Sequence, residues 1–414
     1  MYTQEELYIR DLAKEVLEAA NTPKNIEIIK RFEDINSLKP AKPPVLTQLP
    51  YQIAGRLLCR NDLKSRSADY QNIERELRFR LDRLALLTDD MPVSPIFHTG
   101  FYYTVSEWRE GYHRVILSPQ SEASRYEPCI NSPAEYLALN TPEISYDKNL
   151  TDEKYQKTAD LLGDILAVSK GSPFGSVCGW GESMIDQLVD MRGLENFYYD
   201  TIDCPDAIHS AMEFMTRGHL KLLAEFEELG LLVANNGNNG VGSCSLGYSR
   251  ELGVPSDYGG PVSMKNLWGY AHAQELSLVS RDMLEEFVLP YQARILEKFG
   301  LNAYGCCEAM EHKIESAAKF IPKLRMISIS PFADHEAAGE KCRGKYVYAW
   351  KPQPSNVAYF NGDAIRGEFV DALKHTEGCC LAVILMDVHE LGDLSSVREF
   401  VKIANEMIER MWRT

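Results

Sequence analysis

The chain has 414 residues, 45% apolar and 25% charged, as expected of a globular protein with room for a large core, either as two or three domains or as one barrel with extensions. Its 60 acidic residues outnumber its 44 basic ones, and the formal net charge of −16 speaks against nucleic acid or an anionic membrane as the main partner. The N-terminus opens with Glu5, Glu6, Arg10 and Asp11 where an export signal would be basic and then apolar, no run is long enough to span a bilayer, and the ten cysteines form no CxxC pair, so a cytoplasmic protein with reduced thiols is expected.

Residues 1–90 read as a charged, helical extension that caps a barrel or supports a homodimer. Leu7, Leu12, Val16 and Leu17 suggest one apolar face, and Lys39-Pro40-Ala41-Lys42-Pro43-Pro44 reads as a connector. From Ile73 to Leu87, alternating Glu and Arg predict a solvated, ion-paired helix. Residues 91–414 have a different texture. Val93 to Gly100 reads as a short strand, and after a long insertion so do Ser176 to Gly181 and Leu231 to Ala234, the last followed by Asn235-Asn236-Gly237-Asn238-Asn239-Gly240.

Ser280 is an N-cap candidate for a helix carrying Leu284, Phe287, Val288, Tyr291 and Ile295 and ending at Gly300. Beyond it the strands Leu301–Tyr304, Met326–Ile329, Tyr346–Ala349 and Leu381–Met386 alternate with helices near Lys313–Phe320, Glu336–Cys342 and Ala364–His375. Short apolar strands alternating with amphipathic helices imply a parallel sheet, and seven or eight of them favour a closed (β/α)8 TIM barrel. Neither a GxxxxGK[ST] loop nor a GxGxxG turn opening a βαβ unit is present.

In such a barrel the residues just past each strand converge on one mouth. They are His98, Trp180 with Glu182, Asn235 to Asn239, Cys306-Cys307-Glu308, Asp334-His335, Lys351 and Asp387-Val388-His389. Cys306, Cys307 and Glu308, with His389 or Asp387 from the last strand, could supply a zinc site with one open position; alternatively, one cysteine packs while its neighbour faces a loop, because strand side chains alternate. Glu308 and His312, four apart, would share a helix face, as a half-site or as a plain surface pair. Cys379 and Cys380 begin a strand at the far end and read as core. The asparagines either hold a polar substrate or form turns.

Three stretches carry a family resemblance: Trp268-Gly-Tyr-Ala-His-Ala-Gln-Glu275 with Phe287-Val-Leu-Pro-Tyr291, then Asn302-Ala-Tyr-Gly-Cys-Cys-Glu308, and Ile321-Pro-Lys-Leu-Arg-Met-Ile-Ser-Ile-Ser-Pro331. Over about residues 90–410 the chain resembles a divergent branch of the uroporphyrinogen decarboxylase superfamily, which implies a (β/α)8 barrel. The porphyrinogen-binding pattern of that superfamily is missing, since the first strand region reads Phe97-His98-Thr99-Gly100-Phe101. The other branch of the resemblance is zinc-dependent methyltransferases that use a corrinoid protein or a thiol. Their His-x-Cys would fall on Tyr304 and Cys306, so any zinc set is rearranged here.

The expected function is methyl transfer from a small methylated substrate to a corrinoid protein or thiol. Cys306, Cys307, Glu308 and His389 would hold zinc, and His98, Tyr304 and Glu308 would serve catalysis. Asn235, Asn238, Trp180 and Lys351 would contact substrate. The alternatives are a metal-free decarboxylase, with Lys351 and Arg343 binding carboxylates, and a non-catalytic ligand-binding barrel.

Overall fold

The computed structural model describes residues 2–58, 62–112, 114–116, 124–171, 184–256 and 258–412. Its centre is a six-stranded parallel sheet in the order Val45–Thr47, Cys380–Leu385, Val347–Trp350, Leu324–Ile329, Leu301–Tyr304 and Trp268–Ala271. Because every pairing is parallel, the residues that follow the strands all emerge at one edge of the sheet. Ile96–His98 and Ala167–Ser169 form a second, two-stranded parallel pair. The insertion between those two strands carries two antiparallel pairs, Tyr103–Val105 with Ile144–Tyr146 and Arg114–Ile116 with Ser124–Tyr126.

Alternation along the strands builds two cores. Tyr304, Ile327, Ile329, Tyr348, Trp350, Leu381, Val383 and Leu385 point to one face and pack with Phe369, Phe400 and other helix residues. Trp268, Tyr270, Ala303, Met326, Ala349, Ala382 and Ile384 point to the other. There they meet Val241, Cys244, Leu246 and Tyr248 of the glycine-rich loop, and Phe32 from the helix Pro23–Asn36. The loop thus fills the inner face of the sheet and brings polar atoms to it. Gly242, at φ +53°, lies against the ring of Tyr270, where a Cβ would sit 2.1 Å from a ring carbon.

Three expectations change. The stretch expected to be only helical contributes the strand Val45–Thr47, directly after the proline-rich connector. Leu231–Ala234 is buried but forms no regular strand. The helix capped by Ser280, whose hydroxyl accepts from the Met283 amide, stops at Phe287, and a second runs Leu289–Leu296. Pro290 explains the break, because it has no N–H for the preceding turn and fits the start of a new helix.

The Val45–Thr47 strand is held by carboxylates as well as by its neighbour. Asp89 accepts from the Thr47 amide at 2.8 Å, from its hydroxyl at 2.7 Å and from Arg83 at 2.6 Å. Asp90 accepts from the Val45 amide at 2.8 Å and pairs with Arg31. Asp89 and Arg83 are both buried. Replacing Asp89 with Ala strands a buried guanidinium and is expected to cost about 3–5 kcal/mol. Urea denaturation followed by tryptophan fluorescence measures this, and an unchanged midpoint would contradict the assigned anchoring role.

Candidate active site at the ends of the parallel strands

Gly305 follows the strand Leu301–Tyr304 with φ +96°, and a Cβ there would meet the Met310 side chain at 2.9 Å. This turn takes the chain off the strand and presents Cys306, Cys307 and Glu308 in a loop. Glu308 is buried and points back into the protein, accepting from the Cys306 amide at 2.8 Å and the Ala273 amide at 3.3 Å. Its carboxylate therefore ties the ends of two neighbouring strands together. The loop runs into a 3-10 turn at Met310–His312 and a helix only at Ile314. Glu308 and His312 consequently share no helix face, and His312 is exposed beside Glu311.

With Glu308 turned inward, both thiols face the mouth, their sulfurs 3.6 Å apart. The Cys306 thiol also lies 3.2 Å from the Ser243 hydroxyl. Lys351, just past the strand Val347–Trp350, is buried and donates to the Cys306 carbonyl at 2.6 Å and to the Ser243 hydroxyl at 3.1 Å. Ser328 bonds the Cys306 and Ser243 carbonyls at 3.1 and 3.2 Å. The neighbouring strand Trp268–Ala271 runs directly into His272, whose Nδ1 is 2.8 Å from Asp186 Oδ2. That contact is poorly aligned for a hydrogen bond and is best described as an ion pair.

The charges reinforce one another. The Cys307 hydrogen bond does most to bring the Cys306 thiol down to about 6; burial opposes it, and Lys351, His272 and Ser243 assist. Cys307 itself is pushed upward by the same partner and by burial. Burial works to lower His272, but Asp186 outweighs it, aided by Cys306 and Glu308, and lifts the imidazole to about 9. Beyond this pair, burial and then the charges of Glu275 and Asp186 raise Asp190 to about 7. At neutral pH the strand ends hold a Cys306 thiolate, with a protonated His272 among the charges that favour it.

No protein-family model and no curated protein matches the chain. Among solved structures, it is similar to a methyltransferase from Methanosarcina mazei. The identity is 12%, the TM-score is 0.52, and the match covers 92% of this chain and 98% of that one. The two share a fold over nearly their whole lengths.

Of the expected site residues, the structure gathers Cys306, Cys307 and Lys351. Tyr304 is elsewhere: it faces the helix layer and donates to Gln292 Oε1 at 3.0 Å, while Gln292 donates to the His272 carbonyl at 2.7 Å. It supports the His272 turn from behind and does not reach the mouth. Asn235 exchanges hydrogen bonds with both main-chain groups of Trp268, at 3.0 and 2.8 Å, in the manner of a neighbouring strand. Asn238 donates to the Pro92 carbonyl at 2.9 Å. These asparagines build the loop. Asp334 caps a helix and His335 bonds the Tyr348 hydroxyl at 2.7 Å, so both are structural.

His98 lines a crevice of about 740 Å³ shared with Glu6, Tyr70 and Tyr102 from the neighbouring helices and insertion. Burial and then Arg80 push it down to about 4. Trp180 and Glu182 lie outside the described residues. Arg343 bonds the carbonyls of Glu377 and His375 ahead of the strand Val347–Trp350, at the edge opposite the mouth. It is badly placed to bind a substrate carboxylate there.

The four residues expected to share zinc do not form one ligand group. Glu308 is committed to two amides, and His389 is exposed in a separate groove with Arg56 and Tyr359. Among the described residues no three His, Cys, Asp or Glu side chains stand together as an ion site. Cys379 and Cys380 are buried at the start of the last strand, as expected. Ser243, His272, Asp186 and Ser328 received no role from the sequence. Of these only His272 carries a visible signal, as the first residue past an apolar strand.

Proposed function

We propose that the chain is an enzyme of the methyltransferase kind, from the divergent branch of the uroporphyrinogen decarboxylase superfamily, with its six-stranded sheet part of a closed (β/α)8 barrel. It moves a methyl group from a small methylated substrate to a thiol or to a corrinoid carried by a partner protein. The observation that carries this reading is the Cys306 thiol at the strand ends, in contact with Ser243 and Cys307, with Lys351 bonded to its carbonyl and the charges of Lys351 and His272 favouring its ionised form. The shared fold with a methyltransferase supports it.

A soft thiolate suits a soft, electrophilic methyl centre. The Cys306 thiolate forms a bond to the methyl carbon as the carbon–heteroatom bond breaks, and His272, protonated at neutral pH, gives its proton to the departing heteroatom. The acceptor thiolate or reduced corrinoid then takes the methyl from the Cys306 sulfur, which leaves as the thiolate. Lys351 and Ser243 hold the thiolate end of the site and its loop in place.

The test supplies methoxylated aromatics, methylamines and thioethers as donors, with a small thiol or reduced cobalamin as acceptor. Methylated acceptor should form with wild type, and Cys306→Ser and His272→Gln should each reduce it by about 100-fold or more, as loss of a positioned acid or of transition-state stabilisation does. Release of CO2 from small carboxylic acids, with no methyl transfer from any donor, would replace this reading with the decarboxylase.

A further inference from the structure

We propose that Cys306 and Cys307 form a chelating dithiol site for trivalent arsenicals. The proposal concerns binding and stands independently of methyl transfer.

Adjacent cysteines seldom point the same way, because neighbouring side chains along a strand face opposite sides. The chain contains an internal contrast. Cys379 lies in the helix-side core and Cys380 in the inner core, so that pair cannot embrace one atom. At Cys306 the positive φ of Gly305 and the hold of Glu308 on the Cys306 amide turn the loop, and the sulfurs come within 3.6 Å. Both are free thiols; Cys307 is exposed and Cys306 is partly so. A small electrophile can therefore enter from the mouth and meet both.

The donor set selects the ligand. A tetrahedral zinc site asks for three or four protein ligands, and no such group exists among the described residues. Trivalent arsenic is thiophilic and three-coordinate, so two thiolates complete it when its third position keeps a hydroxyl or an organic group. The Ser243 hydroxyl, 3.2 Å from Cys306 Sγ and 3.1 Å from Lys351 Nζ, is placed to hydrogen-bond a hydroxyl in that position.

The reaction is a condensation without change of oxidation state. An arsonous acid, R–As(OH)2, loses both hydroxyls as two As–S bonds form, and both leave as water, one with the proton of the Cys307 thiol and one with a proton from solvent, since Cys306 is already ionised. Prepaid proximity of the two thiols favours this product over two separate monothiol adducts.

The experiment treats the reduced full-length protein with phenylarsonous acid, desalts it, and reads the intact mass and the arsenic content. One arsenic per chain is expected, with Cys306 and Cys307 protected together from N-ethylmaleimide by peptide mapping. A dithiol such as 2,3-dimercaptopropanol should release it where an equivalent monothiol does not. Cys306→Ser and Cys307→Ser should each lower retention at least tenfold, while Cys379→Ser should retain it. Mapping on wild type keeps the test valid should a variant fold poorly. No retention by wild type, retention with both thiols still alkylated, or undiminished retention in either single variant would overturn the proposal.

Discussion

Glu308→Ala is expected to lower stability by roughly 3 kcal/mol and to disorder the thiol loop at the same time. The carboxylate satisfies two amides, the buried one of Ala273 and the partly buried one of Cys306, and a buried amide left unpaired costs about 1–3 kcal/mol. Nearby Lys313 is buried, bonded to the Leu276 carbonyl at 2.9 Å, and held below the usual lysine range by burial, against which Glu308 and Asp186 act. Removing Glu308 takes away part of that compensation. Glu308→Gln should cost less, because one acceptor oxygen remains, but its amide group must face a donor. Chemical denaturation measures the first effect, and the alkylation rate of Cys306 measures the second. A variant with wild-type stability and unchanged Cys306 reactivity would show that this carboxylate does not organise the loop.

The second large effect is in the reactivity of Cys306 with pH. Alkylation by iodoacetamide, followed at this peptide by mass spectrometry, should rise with pH around a midpoint near 6. An ordinary cysteine has its midpoint near 8.5. At pH 6 the thiolate is about half formed, against well under one per cent for an ordinary thiol. A less basic thiolate is also a weaker nucleophile, with a Brønsted slope of about 0.4–0.5, so the net rate advantage at pH 6 is about tenfold. At pH 7 it shrinks to a few-fold, which is why the acid side of the profile is the informative one.

Cys307→Ala should move the midpoint upward most, since its hydrogen bond is the largest lowering influence. Lys351→Met should move it in the same direction by removing a nearby positive charge. A wild-type midpoint at 8 or above would remove the thiolate from the proposed chemistry.

Much of the architecture was legible in the residues because apolar periodicity reports directly on burial. The strands from Leu301 onward and the helices between them fall close to where alternation and helical spacing place them. Two failures have clear causes. Val45–Thr47 is only three residues long behind a proline-rich connector, too short for any period to register. Leu231–Ala234 has strand-like composition, yet Asn235 takes over the neighbouring main-chain bonds that a strand would have made.

The site was legible only in part. The sequence by itself determined an acidic α/β protein with Cys-Cys-Glu just past an apolar strand, and so the place where soft-ligand chemistry can occur. It also placed Lys351 at the end of another strand on the same edge. What each side chain does there was decided by the tertiary structure. Orientation depends on the positive φ of Gly305 and on the bond from the Cys306 amide to the buried Glu308, which bring the half-buried Cys306 thiol and the exposed Cys307 thiol together. Partnership depends on elements far apart in the chain: Ser243 from the loop that fills the inner face, Asp186 from a helix, and His272 from another strand. Local pattern records whether a residue is buried, but charge and hydrogen bonding also act between residues that only the folded chain brings within a few ångströms, and Lys351, His272 and Ser243 in this way add to the hydrogen bond of the adjacent Cys307 in setting the ionisation of Cys306.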